Sequence, residues 1–154
     1  MAKALFANQR ESNLQSTIAL VEEVLGELGY PAAESRVNDP TTVHAWQIAK
    51  GSAVSRITLA DRAAFTHIRV CATVLTLDEQ VDRPALFAHL LDLNAGLAGA
   101  AFATAGDRVL LLGERSTLDL DRSEVLDLVR HITTLADDHD DVLVARFGGT
   151  LGAT

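Results

Sequence analysis

The sequence predicts an α+β domain in which helices pack on a twisted antiparallel sheet, in the order α-β-β-β-α-β-β-α. Three observations carry that prediction. Apolar residues recur at helical spacing near both ends of the chain and once in the middle; polar and apolar residues alternate through residues 44 to 75; and a Gly106-Asp107 turn separates two short apolar runs. The 154 residues suffice for one domain, with an ordered core expected over 12–149, and are too few for two sizeable ones.

The elements follow in order. Leu14, Ile18, Val21, Val24, Leu25 and Leu28 share one face of a helix over about 13–28. Ser12 with Gln15 three residues on has the form of a capping box, and Gly29 followed by Pro31 supplies the stop. Asn38-Asp39-Pro40 reads as a turn. Beyond it His44, Trp46 and Ile48 alternate with smaller residues, and Lys50-Gly51-Ser52 turns the chain into Ser55, Ile57 and Leu59. In the next strand Thr66, Ile68, Val70, Ala72 and Val74 lie on one side, with Phe65, His67, Arg69, Cys71 and Thr73 on the other. Short polar links between alternating runs imply an antiparallel meander.

Asp82 ahead of Pro84 opens a second helix, because proline is tolerated where its missing N–H has no partner. Leu86, Phe87, Leu90, Leu91 and Leu93 continue it to Asn94-Ala95-Gly96, and a hairpin follows over 100–105 and 108–114. Its second strand, Val109-Leu110-Leu111-Leu112, is apolar on both sides and calls for cover on both. Asp121 and Glu124 then form an acidic capping box, and Val125, Leu128, Val129, Ile132, Leu135, Ala136, His139 and Leu143 run along a last helix. It stops before Gly148-Gly149, after roughly 25 residues, or about 37 Å.

Composition removes several functional classes. Thirteen basic residues against 21 acidic ones leave a formal charge of −8, which disfavours nucleic acid and anionic membrane surfaces as partners. No apolar stretch near the N-terminus suits a signal peptide and no run approaches a membrane span, so a cytoplasmic protein is expected. The single cysteine, Cys71, can form neither an internal disulfide nor a cysteine-based zinc site.

Residues that could carry chemistry are few. Asp137-Asp138-His139-Asp140-Asp141 is rich in ligands, with His131 upstream, yet five consecutive helical side chains fan around the axis and do not converge on one ion. Most of these aspartates are expected in solvent. No pair of histidines has the spacing of a metal motif, and no nucleophile elbow or phosphate-cradling glycine loop is present. The expectation is therefore no catalytic residue, no metal and no cofactor. Trp46 has two readings, since a tryptophan anchors a core and is also enriched in binding hot spots.

Longer motifs bear a resemblance. Leu86-Phe87, Leu90-Leu91-x-Leu93-Asn94-Ala95 and Gly99-Ala100-Ala101-Phe102-Ala103 are followed by Gly106-Asp107-x-Val109-x-Leu111, Glu114-Arg115 and Leu118-Asp119-Leu120-Asp121. Ala136-Asp137-x-x-Asp140-Asp141-x-Leu143-Val144 and Phe147-Gly148-Gly149 complete the series. Over 82–149 this order resembles the YbjN family, which shares a fold group with the CesT-type type III secretion chaperones; over 12–75 the likeness rests on the order of elements.

The resemblance implies a non-catalytic, chaperone-like homodimer that binds a segment of a partner protein. A small regulatory domain in sensory or stress signalling is the alternative, and a metal-dependent enzyme using Asp137–Asp141 a remote one. The working surface is expected to be apolar sheet and helix area including Trp46, Phe65, His67 and Arg69. If all helices share one sheet face, a second copy or a client strand is needed to cover the other. If the helices divide between the faces, no partner is needed.

Overall fold

The computed structural model describes the backbone of residues 2–62 and 65–152 and the side chains of residues 10–61 and 66–152. The chain runs α1 (Ala2–Glu27), α2 (Ala32–Ser35), β1 (Arg36–Val37), β2 (His44–Lys50), β3 (Ala53–Arg62), β4 (Phe65–Thr76), α3 (Arg83–Asn94), β5 (Ala101–Ala105), β6 (Arg108–Ser116) and α4 (Arg122–Phe147). The strands form one six-stranded sheet in the order β1-β2-β3-β4-β6-β5, antiparallel at every pairing. The α+β architecture expected from sequence is present, with α2 and β1 added ahead of the meander.

The helix signals act locally where they were read, except at the start of α1. Asp121 accepts from the Glu124 N–H while the Glu124 carboxylate accepts from the Asp121 N–H, closing the capping box of α4. Bonds from Ser123 and the Glu124 backbone hold the Asp121 carboxyl below its ordinary pKa. Asp82 caps α3 through the Ala85 N–H, with Pro84 in the first turn. Ser12, by contrast, caps nothing: α1 continues N-terminally to Ala2, and the Ser12 carbonyl accepts from Ser16 inside the helix. The residues ahead of it, Ala2 to Glu11, are mostly good helix formers, so no break occurs at the serine. At the other end Gly29 adopts φ 87° and Tyr30 N–H reaches back to the Leu25 carbonyl, the expected glycine stop.

All three long helices lie on the same side of the sheet. Over β2, β3 and β4, the side chains of Trp46, Ile57, Leu59, Ile68 and Val70 pack with Val21, Val24 and Leu25 of α1 and Val125, Val129 and Ile132 of α4. Over β5 and β6, Phe102, Val109 and Leu111 pack with Leu86 and Leu90 of α3 and with Ala136 and Leu143 of α4. Asn94 pins α3 to the edge strand by exchanging two hydrogen bonds with the Phe102 backbone, at 2.7 and 3.1 Å. Its amide thereby satisfies backbone groups that an edge strand would leave open. The helices do not divide between the faces.

Where β4 runs past the last residue paired to β3, the chain's C-terminal segment takes over. Ala72 is the last β4 residue opposite β3, and the ladder to β6 slips between Thr73 and Leu75. Thr150 then exchanges both backbone bonds with Thr76, at 2.8 and 3.0 Å. A side chain at Gly152 would collide with the Thr73 carbonyl, so the segment lies directly against the strand.

Gly113 sets how closely α4 approaches β6. A β-carbon there would stand 2.7 Å from the Gly99 carbonyl oxygen and 2.8 Å from the Leu128 side chain. Because one neighbour is backbone, Gly113→Ala is expected to cost about 1–3 kcal/mol, read as a lowered urea midpoint. A wild-type midpoint would show that the helix has room to move.

Candidate functional site: the uncovered sheet face

The register fixes which side chains stand on the face that carries no helix. Pairing sets Arg56 opposite Cys71 and Cys71 opposite Leu112, with Thr58, Arg69 and Glu114 in the neighbouring row. Thr73 faces Leu110 in the row beyond, and Arg108 lies one step further along β6. Val54 on β3 and Ala101 and Ala103 on β5 share the same side by alternation. Leu110 and Leu112 remain half-buried, while their neighbours Val109 and Leu111 on the helix side are fully enclosed. The strand that is apolar on both sides is thus covered on only one.

A shallow groove of about 310 Å³ crosses this face, lined by Gln47, Val54, Arg56, Arg69, Cys71 and Leu110 together with Arg108 and Gly152. Its charges are partly paired. Arg56 reaches Asp39 at 3.0 Å, and Arg69 reaches Glu114 across the β4–β6 pair at 3.4 Å. Asp39 is held below its ordinary pKa, first by bonds from the Thr41 hydroxyl and N–H and then by Arg56. Burial pushes the Cys71 thiol up, with Arg69 pulling in the opposite sense, so the thiol stays protonated at neutral pH and is a poor nucleophile.

Of the residues expected at a working surface, the structure brings His67 and Arg69 together on this face, two positions apart on β4. The Phe65 side chain lies outside the described residues. Trp46 stands on the opposite side of the sheet and is 0% exposed. Its indole packs against the α1 residues, and its Nε1–H donates to Glu22 Oε1 at 3.2 Å. The same carboxylate oxygen accepts from Arg36 of β1, so one buried-edge acid holds α1, β1 and β2 together. Burying the whole ring and satisfying its N–H makes Trp46 a core residue, not part of an exposed surface.

The acidic run on α4 also has a structural task, and here the expectation of solvated aspartates needs correction. Asp140 is 1% exposed and accepts a 2.7 Å bond from the Ser52 hydroxyl. Asp137 fills the space beside Gly51, whose missing side chain allows the contact. Lys50 donates to Thr134 at 2.6 Å. Together these groups clamp the β2–β3 turn onto α4, whereas His139 turns away to meet the Phe102 ring edge-on at 5.4 Å. Among the described residues no group of three or more His, Cys, Asp and Glu is placed to hold a metal ion. Sequence reasoning missed Asp140 because its partner is 88 residues away, although its spacing from Ala136 and Leu143 puts it beside the buried stripe.

A wider recess of about 720 Å³ lies between α4, the end of β6 and the loop before β5. Its polar lining is largely committed to the fold: Arg115 pairs with Glu124 at 2.5 Å, and His131 meets the Ala98 carbonyl at 2.9 Å. The sheet face is the better candidate.

Comparison with known proteins agrees with this architecture. Residues 15–153 match the family model described as T3SS (YopN, CesT) and YbjN peptide-binding chaperone 1, or TY-Chap1. The chain belongs to the TY-Chap1 family. That is a family of non-catalytic, peptide-binding chaperones, and the YbjN and CesT resemblance read from residues 82–149 extends through the meander. Among solved structures, the ExsC-ExsE complex contains a chain of 16% identity that superposes with a TM-score of 0.60, covering 84% of this chain and 94% of that one. The HopA1-SchA chaperone-effector complex contains another at 16% identity and a TM-score of 0.46, covering 80% and 97%. No relative among curated proteins matches the chain. Among the described residues, no helix of this TY-Chap1 member is long and apolar enough to cross a membrane.

The position of Trp46 makes a stability prediction. Trp46→Ala is expected to lose about 3–5 kcal/mol by chemical denaturation, in line with removal of a buried ring. A variant of unchanged stability would return the indole to the list of contact residues.

Proposed function

We propose that this TY-Chap1 chain holds an extended segment of a partner protein against its uncovered sheet face. One observation carries the reading: α1, α3 and α4 all pack on one side of the sheet, leaving an apolar-centred face on the other. Strands that bear Leu110, Leu112 and Val54 on that face gain by exchanging water for apolar contact. An open pleated surface with a shallow groove and alternating side chains suits an extended chain better than a compact small molecule. The family description, peptide-binding chaperone, supports the same reading. His67 and Arg69 belong to this proposed surface.

The experiment is site-directed photo-crosslinking in the host. A photoreactive residue in place of Leu110 is expected to trap a partner through one short stretch of its sequence, while the same residue in place of Val142 on α4 traps little. Crosslinks scattered over a folded partner domain would favour the small regulatory module, and none from position 110 would remove the sheet face from consideration.

The proposed working unit is a homodimer. On α3, Leu91 is 69% exposed on the side away from Leu86 and Leu90, which are buried. A self-complementary contact on α3 would leave the sheet face free in both copies. Sedimentation velocity is expected to show a dimer that Leu91→Glu converts to monomer. A wild-type monomer would dismiss the dimer without touching the segment-binding surface.

A further inference from the structure

We infer that the segment held on the sheet face is acidic at its ends and apolar in its middle, an inference that rests on the segment-binding reading above. The chain as a whole carries a formal charge of −8, yet the strands place Arg56, Arg69 and Arg108 on this face against the single carboxylate of Glu114. Asp39, from the loop before β2, engages Arg56 from the rim. Arg108 is exposed and makes no ion pair among the described residues. Arg69 meets Glu114 only at 3.4 Å, a loose contact that an incoming carboxylate can replace. The local sign is therefore opposite to that of the molecule.

The spacing of the two ends follows from the ladder. Arg69 pairs with Glu114 and Arg108 with Thr76, so their backbone positions lie three rows apart along β6, about 20 Å at 3.3 Å per residue. An extended chain of about six residues spans that distance. Between them on β4 and β6 lie Cys71, Thr73, Leu110 and Leu112, none of which offers a charge, and Arg56, opposite Cys71 on β3, is engaged by Asp39. At this end Thr150 pairs edge-on with Thr76, and Gly152 lies against Thr73 and lines the groove. Nucleic acid is disfavoured as the occupant because three arginines in a strongly acidic protein supply little counterion release.

The test is fluorescence anisotropy with labelled synthetic octapeptides: a Val/Leu centre flanked by Asp and Glu, the same centre flanked by Lys, and a short single-stranded oligonucleotide. The acidic-ended peptide is expected to bind about tenfold tighter than the lysine-ended one, and more weakly as salt rises. Arg108→Glu, on an exposed side chain, is expected to reverse that preference while leaving the circular dichroism spectrum unchanged. Arg69→Gln provides a second variant and is expected to weaken the acidic-ended peptide alone.

Equal binding of both peptides would overturn the charge preference and leave the segment-binding reading intact. So would acidic-peptide binding indifferent to both arginine variants, which would locate the site elsewhere. Tighter binding of the oligonucleotide, or no binding of any probe, would also overturn the inference. Segment binding itself is judged separately, by the crosslink from position 110.

Discussion

The register of β4 against its two neighbours is the constraint on which the rest of the structure depends. Ile68 opposite Leu59 and Val70 opposite Ile57 put four aliphatic side chains under α1 and α4, and the same pairing puts His67, Arg69 and Cys71 on the other side. A slip of one residue would exchange the two sets, burying a guanidinium beneath the helices and exposing the core. Burying an unpaired charge costs several kcal/mol, far more than any single cross-strand pair returns. The register is therefore set by the helix side, and the composition of the open side follows from it.

The same constraint explains why the irregularities sit where they do. After Thr73 the strand slips its register with β6, so that Val74 and Leu75 are both fully buried in the half of the core beneath α3. The bulged end of β4 has lost its β3 neighbour, and Thr76 there exchanges both its backbone bonds with Thr150 of the C-terminal segment. At the opposite corner, the Glu22 carboxylate joins Trp46 of β2 to Arg36 of β1. The turn between β2 and β3 is held by Asp140 and Asp137 of α4. Glu22, Asp137 and Asp140 thus serve the helix side of the molecule, while Arg56, Arg69 and Arg108 collect on the face without helices. A net negative chain can in this way present a surface of the other sign.

Much of the fold was legible because its signals are local. Asp82 with Pro84 and Asp121 with Glu124 are complete capping arrangements within four residues, and both act as read. Alternation over residues 66–74 of β4 placed its side chains correctly because a strand's two faces are a property of the strand itself. Elements α2 and β1, of four and two residues, are too short to show a period and form against β2. The Ser12 signal was also local, but a cap forms only where a helix begins, and α1 begins further upstream.

For the candidate site, the sequence by itself determined that His67 and Arg69 share a side, that Leu110 and Leu112 sit opposite Val109 and Leu111, and that the chain is acidic. Only the tertiary structure decided which side the helices cover. That choice makes Trp46 a core residue, makes the Arg69 side the open one, and brings Arg56 and Arg108 from two other strands beside it. Periodicity records that a strand has two faces but not what packs on either. The assignment comes from where three separated helices bury their apolar stripes, a collective property of contacts between residues far apart in the chain.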